Sequence, residues 1–338
     1  MPMVGGLDLH RRQITFDVVD LDSGEEQRGV IRPATRLAFR EWLERFDVDE
    51  ARFAVEATTG WWFVVEELHR AGFDAHVAEP AETRALRGKK RRAKTDRADA
   101  RHLRDLLVTG TLPESWIPPP FILELRTKVR LRHVLVGQRA GWSKRIYAQC
   151  FQHGLPVPPD PLTTEGRAWV TAAELPAAAH QVVMVSLNMI TALDALIAQV
   201  ERDLRAVAAH QKGCVELQNQ FGVGPFISTA IVAELGDAAR LSSSRKAVRF
   251  AGLDVTIHES DGKRTRGHLS RQGPAVLRWA VYEAANNAWR PRSPDHDFYA
   301  TAKDRIGAKR ARLAVSRRVL RRSYHVLANL GSAAIEPV

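Results

Sequence analysis

The sequence predicts an α/β unit followed by mainly helical architecture. Three observations carry this. Short runs rich in Val, Ile and Phe alternate with helical patterns through the first hundred residues. Residues 121–210 hold two long stretches at helical spacing, parted by the proline-rich "HGLPVPPDPLTTEG". Beyond 211 the apolar residues again recur mostly at helical spacing.

In order along the chain, "MVGGLDLH" and "QITFDVVDL" read as strands joined by the polar "HRRQ", and "QRGVIRP" follows the turn "DSGEE" as a third. "TRLAFREWLERF" has helical spacing. "ARFAVEAT" is a strand, "GWWFVVEELHRAG" a helix closed by Gly72, and "FDAHVAEP" another strand. A helix through "KTDRADARHLRDLL" completes a unit of residues 1–110, a mixed sheet covered by helices. Residues 111–210 form a second part. The connector "LPESWIPPP" leads to a long basic amphipathic helix, the proline-rich break, and a second long helix, suggesting a helical hairpin or coiled-coil arm. Imperfect heptads leave an ordinary bundle helix equally open. In residues 211–338, "GVGP" lies between two apolar helical segments. It reads as a helix-hairpin-helix whose backbone N–H groups meet a phosphate, or as a plain helical corner. Ser242–Ser244 precede "SRKAVRFAG" as helix caps.

Composition limits the function classes. The chain has 338 residues, 45% of them hydrophobic, which excludes a disordered protein. Fifty Lys and Arg against 39 Asp and Glu give a net charge of +11, and the pI is near 10.1. That excess favours DNA or RNA as partner, the plain alternative being a merely soluble basic protein. Cys150 and Cys214 form no CxxC pair, so no disulfide framework or zinc signature is expected, in keeping with a reducing cytoplasm. No signal peptide and no uninterrupted apolar run of about 18 residues is evident, so no membrane span is expected.

The candidate chemistry lies in four carboxylates. Asp8 sits inside an apolar strand, where a charge is costly unless paired or metal-bound. Glu56 ends another strand, and Asp96 and Asp99 share one face of a helix, three residues apart. Each alone has a structural alternative: a turn cap for Asp8, a loop start or Arg partner for Glu56, a helix cap or salt bridge for Asp96 and Asp99. Together they supply the hard oxygen donors that suit two Mg²⁺ ions about 4 Å apart, an arrangement that grips a scissile phosphate. The cations Lys89, Lys90, Arg91, Arg92, Lys94 and Arg97 surround the pair and would hold flanking phosphates. Strand, strand and helix occur in the order of a ribonuclease-H-like nuclease.

"GLDLH", "VEATTGWW", "KTDRADARHL" and "FAGLDVTIHESDGKRTRGHLSRQGPAVLRWAVYEAA" resemble the DEDD transposases of insertion sequences, over nearly the whole chain. The resemblance implies a RuvC-like domain joined through a coiled coil to a C-terminal transposase domain. It implies Asp8, Glu56, Asp96 and Asp99 as the metal-binding tetrad and Ser260 as the nucleophile. It further implies guidance by a structured noncoding RNA that pairs with donor and target DNA. Val255 stands where the family has proline, and Asp261 where it has glycine. Lys263, Arg264 and Arg266 follow the serine and would position a phosphate; by residue type alone "ESDGK" is a surface turn. The expected function is a Mg²⁺-dependent DNA transposase or recombinase acting as a homodimer or homotetramer. The alternatives are a hydrolytic junction nuclease without covalent serine, and a catalytically dead nucleic-acid-binding protein.

Overall fold

The computed structural model describes residues 2–46, 50–87, 95–260 and 263–337, without the side chains of Pro2 and of residues 257–260 and 263–266. The chain divides into two compact units, Met1–Ile117 and Pro118–Val338.

The first unit is built on a mixed six-stranded sheet. β1 (Pro2–Leu9), β2 (Ile14–Asp20) and β3 (Glu26–Ile31) form an antiparallel meander. β4 (Glu50–Glu56) and β5 (Asp74–Ala78) run parallel to β1, and the short β6 (Glu114–Ser115) pairs antiparallel with β5. The order is β3-β2-β1-β4-β5-β6. Its helices are α1 (Arg36–Leu43), α2 (Trp61–Arg70), α3 (Pro80–Leu86) and α4 (Asp96–Val108). Thr35 caps α1, Gly60 opens α2 at positive φ, and Gly72 follows α2 at φ 82°. This is the mixed sheet with helices that the sequence predicts, and it is open rather than closed into a barrel.

Strand alternation sends side chains to two different cores. Leu7, Leu9, Ile14, Val18, Phe53 and Val55 pack with Phe39 and Trp42 of α1 and Val64 and Leu68 of α2. On the other face Val4, Ala54 and Ala78 meet Leu103 and Leu107 of α4. The buried stripe of α4, Ala100, Leu103, Arg104 and Leu107, has the spacing of one helix face. Glycine lets this helix lie on the sheet: a Cβ on Gly6 would stand 2.0 Å from the carbonyl oxygen of Ala100 and 2.6 Å from the amide nitrogen of Arg104. Beside this seat a buried ion network joins Asp17 of β2 to Arg104, with Arg28 at 3.1 Å and Arg101 at 3.7 Å. Burial raises the Asp17 carboxyl above its ordinary value, against the pull of those three guanidinium groups.

The second unit opens with α5 (Pro120–Gln152), α6 (Thr164–Ala172) and α7 (Ala177–His210). α5 and α7 form an antiparallel hairpin, the ion pairs Lys128–Asp203, Arg132–Glu201 and Arg139–Asp194 advancing along one helix as they recede along the other. By length and composition alone α7 could cross a membrane. Its apolar run is broken by Ser186, Asn188, Thr191 and Asp194. Its Val183, Leu187 and Ile190 pack instead on Ile146 and Cys150 of α5 and Val170 of α6.

α8 (Lys212–Gln218), α9 (Pro225–Leu235) and α10 (Ser244–Phe250) follow, then the hairpin β7 (Val255–Ser260) and β8 (Lys263–Leu269), then α11 (Ala275–Ala285), α12 (His296–Ile306) and α13 (Ala308–Leu330). Ser243 caps α10, accepting from the amide of Lys246. Buried Glu234 of α9 takes two hydrogen bonds from Arg130, at 2.7 and 2.8 Å, which fastens α9 to the hairpin. A Cβ on Gly222, at φ 83°, would stand 2.6 Å from the carbonyl of Ala284, so helix packing explains the first glycine of "GVGP". Around Gly224 the space is open. Cys150 and Cys214 are free and buried.

Candidate metal centre

The even-numbered face of β1 runs from Val4 past Gly6 to Asp8, beneath α4 laid from Leu107 back to Asp96. Asp96 therefore reaches the C-terminal edge of the sheet, where Asp8 is the last residue of β1 on this face. Thr95 caps α4, its hydroxyl accepting from the amide of Ala98 at 3.2 Å, so Asp96 is left free of the capping role. The helix N-terminus favours both Asp96 and Asp99 in its first turn.

One ligand atom each from Asp8, His10 and Asp96 lie within 4.8 Å of one another, the cluster suited to a metal among the described residues. His10 Nε2 is 3.0 Å from Asp8 Oδ2 and 3.4 Å from Asp96 Oδ1. Gln13 Nε2 donates to the other Asp96 oxygen at 3.1 Å. Arg32 donates to Gln13 Oε1 at 3.0 and 2.6 Å, and because arginine only donates, this fixes which end of the amide faces Asp96. The backbone N–H of His10 donates to the carbonyl of Gln13 at 2.9 Å, so one tight turn between β1 and β2 presents both side chains.

Burial raises the Asp8 carboxyl above its ordinary value. His10 pulls it back, and the charges of Asp99 and Asp96 push it further up. Asp99 is thus an electrostatic neighbour of Asp8, but its own contact is an ion pair with Arg87 at 2.5 Å. Glu56 ends β4 one residue beyond the Leu7–Val55 pair, which places it beside Asp8 on the same face and edge of the sheet. It lies outside the three-residue cluster. Arg97 is exposed on α4. Lys89, Lys90, Arg91, Arg92 and Lys94 lie outside the described residues. The backbone of Ser260 ends β7 opposite Lys263, with Glu259 opposite Arg264 and Ile257 opposite Arg266; their side chains lie outside the described set.

A family model described as a transposase of the DEDD type matches residues 5–152, and one described as the IS116/IS110/IS902 transposase family matches residues 214–300. The chain belongs to the DEDD-type transposases of insertion sequences. A probable family 20 transposase of Pseudomonas aeruginosa is 24% identical over 299 residues, 83% of this chain and 82% of the relative. A transposase for insertion sequence element IS1111A, from Coxiella burnetii, is 30% identical over 27% of this chain and 25% of its own length. An uncharacterized 44.8 kDa protein of insertion element IS116, from Streptomyces clavuligerus, is 26% identical over 33% of this chain and 28% of its own. The protein is a DNA transposase, an enzyme whose substrate is DNA, and its family suggests divalent metal use.

Sequence reading of the transposase overlooked His10 and Gln13. A signal for His10 was present: in "DLH" the residues at i and i+2 project from the same side of an extended chain. Gln13 carried none, because only the turn and the seat of α4 bring it to Asp96.

Proposed function

We propose that the transposase cuts and rejoins DNA at a divalent-cation site made by Asp8 and Asp96 with Glu56 and Asp99 beside them, using Ser260 as a covalent nucleophile. The observation that carries this reading is the meeting of Asp8 and Asp96, 88 positions apart in sequence, at one ring nitrogen of His10. The donor set suits a hard divalent cation, Mg²⁺ in the first instance and two ions in the full site. Repulsion from Asp99 and Asp96 on a buried Asp8 is the charge concentration that a cation relieves.

Asp8 is held rigidly by the strand, Asp96 by α4 and Gln13, and Asp99 by Arg87, so the acidic groups are oriented before DNA arrives. A bound cation stabilises charge that develops on the phosphate and leaving oxygens. The Ser260 hydroxyl attacks phosphorus, forming a phosphoserine ester and releasing a DNA hydroxyl that takes up the serine proton. Attack by a hydroxyl of another strand then frees the serine and joins DNA. Lys263, across the hairpin from Ser260 in backbone register, and Arg264 and Arg266 beyond it supply cations for the phosphate. Lys89, Lys90, Arg91, Arg92, Lys94 and Arg97 hold flanking backbone.

The reading includes a structured noncoding RNA as guide and more than one copy of the chain. For the latter, Val182, Val185, Met189 and Leu196 form an exposed apolar stripe on α7, at the spacing of a helix–helix seam.

The test supplies DNA, guide RNA and Mg²⁺ to Ser260→Ala, Ser260→Cys and Asp99→Ala. Ser260→Ala should abolish the covalent adduct and strand exchange while leaving RNA binding intact, and Asp99→Ala should abolish exchange. Normal recombination by Ser260→Ala beside an inactive Asp99→Ala would replace the covalent route with a metal-only one.

A further inference from the structure

We propose that His10 is a nitrogen ligand of the divalent-cation site, and that it biases the site towards Mn²⁺ and Co²⁺ over Mg²⁺. This rests on the metal-site reading above and deepens it.

The geometry is that of a coordination edge. Adjacent donors of an octahedral ion bound at about 2.1 Å stand about 3.0 Å apart, the square root of two times the bond length. His10 Nε2 stands 3.0 Å from Asp8 Oδ2 and 3.4 Å from Asp96 Oδ1. The atom facing both carboxylates is a ring nitrogen, which binds a metal through its lone pair when the imidazole is neutral. The ring is half exposed, so rotating it to open the centre meets little packing. The turn pins its backbone through the hydrogen bond to Gln13, so the side chain cannot wander from the strand end.

The chemistry sets the preference. Mg²⁺ takes oxygen donors almost exclusively and gives up water reluctantly. Imidazole suits the later divalent metals, whose affinity for a mixed nitrogen and oxygen site rises from Mn²⁺ towards Co²⁺. Carboxylates alone leave Mg²⁺ competitive; adding His10 adds binding that Mn²⁺ and Co²⁺ exploit and Mg²⁺ does not. His10 is thus a specificity-determining residue for the metal, while Asp8 and Asp96 determine that a divalent cation binds at all.

The experiment uses tag-free full-length protein at about pH 8. Mn²⁺ is titrated into wild type, His10→Gln and Asp8→Asn, and bound Mn²⁺ is examined by electron spin-echo modulation for coupling to ¹⁴N. Mg²⁺ affinity is measured by competition, and circular dichroism confirms folding of each variant. The expected result is ¹⁴N modulation in wild type that His10→Gln removes. The Mn²⁺ dissociation constant should rise at least about tenfold, the lower end of what even residues supporting a ligand cost. The Mg²⁺ constant should move less than about threefold, well short of that tenfold scale. Mn²⁺ binding that depends on Asp8 but shows no ¹⁴N coupling overturns the role of His10 and leaves the carboxylate site standing. Absence of Asp8-dependent Mn²⁺ binding overturns both.

Discussion

Replacing Gly6 with alanine adds one methyl group where α4 meets β1. The new Cβ would stand 2.0 Å from the Ala100 carbonyl oxygen, against an ordinary contact of at least 3.4 Å, so the helix must back away by about 1.4 Å. The obstacle is backbone, and no rotamer change relieves it. Overpacking of this kind costs about 1–3 kcal/mol. The displaced helix carries Asp96 and Asp99, while Asp8 and His10 stay with the strand and turn. Misplacement of a catalytic group by about 1 Å costs on the order of 100-fold in rate. Gly5 provides the comparison. Its added Cβ would meet the Phe53 ring at 2.5 Å, on the opposite face of the same strand, in the core with α1 and α2. Both variants should lose a similar 1–3 kcal/mol in thermal unfolding. Only Gly6→Ala should also lose about 100-fold in single-turnover, metal-dependent strand cleavage. Equal cleavage by the two folded variants would refute the claim that the seat of α4 sets the site.

Arg104→Met should destabilise the first unit by about 3 kcal/mol, because Asp17 keeps its buried charge while losing its buried partner. Adding Asp17→Asn to it should recover most of that loss, as chemical denaturation of the single and double variants would show. Asp8 titrates above 3.8, chiefly through burial, so the stability it contributes is complete below 3.8 and lost as pH rises through its raised value. In cation-free buffer, wild type should therefore lose more stability across that window than Asp8→Asn does, and divalent cation should restore wild type alone; equal pH profiles would count against a raised Asp8. DNA affinity should fall steeply with salt, as phosphate contacts release counterions. Combined alanine substitution of Lys89, Lys90, Arg91 and Arg92 should weaken binding about equally for all DNA sequences. A selective loss for one DNA sequence, measured by competition binding, would indicate base contacts instead.

The first unit was legible because its elements follow their local patterns. Its first five strands coincide with short runs that polar turns or helical patterns set off in the sequence, α1, α2 and α4 have single buried faces, and Gly72 ends α2 where the sequence places it. The two long helices were equally plain, since proline and glycine mark the break between them. The β7–β8 hairpin was missed. Its signals were nonetheless in the sequence: Val255, Thr256 and Ile257 are β-branched, and Asp261-Gly262 is a dipeptide favoured in two-residue hairpin loops. The short α3, α6 and β6 also escaped, being too brief for periodicity to register. At the candidate site, the acidic residues were visible as types out of place, Asp8 in an apolar strand and Asp96 with Asp99 in a basic run. What joins them was not visible. It depends on the depth to which α4 settles on Gly6 and on a turn that aims His10 and Gln13 at Asp96, both products of packing.

In the proposed function, Asp96 acts on DNA through a divalent cation at the edge of this sheet. Asp96→Asn keeps the shape of the side chain and an oxygen for Gln13 while removing the charge. Strand cleavage should be measured beside DNA binding, with guide RNA present and Mg²⁺ or Mn²⁺ supplied. Asp96→Asn should bind DNA as wild type does and fail to cut it with either cation. Cleavage at the wild-type rate by Asp96→Asn would contradict this role.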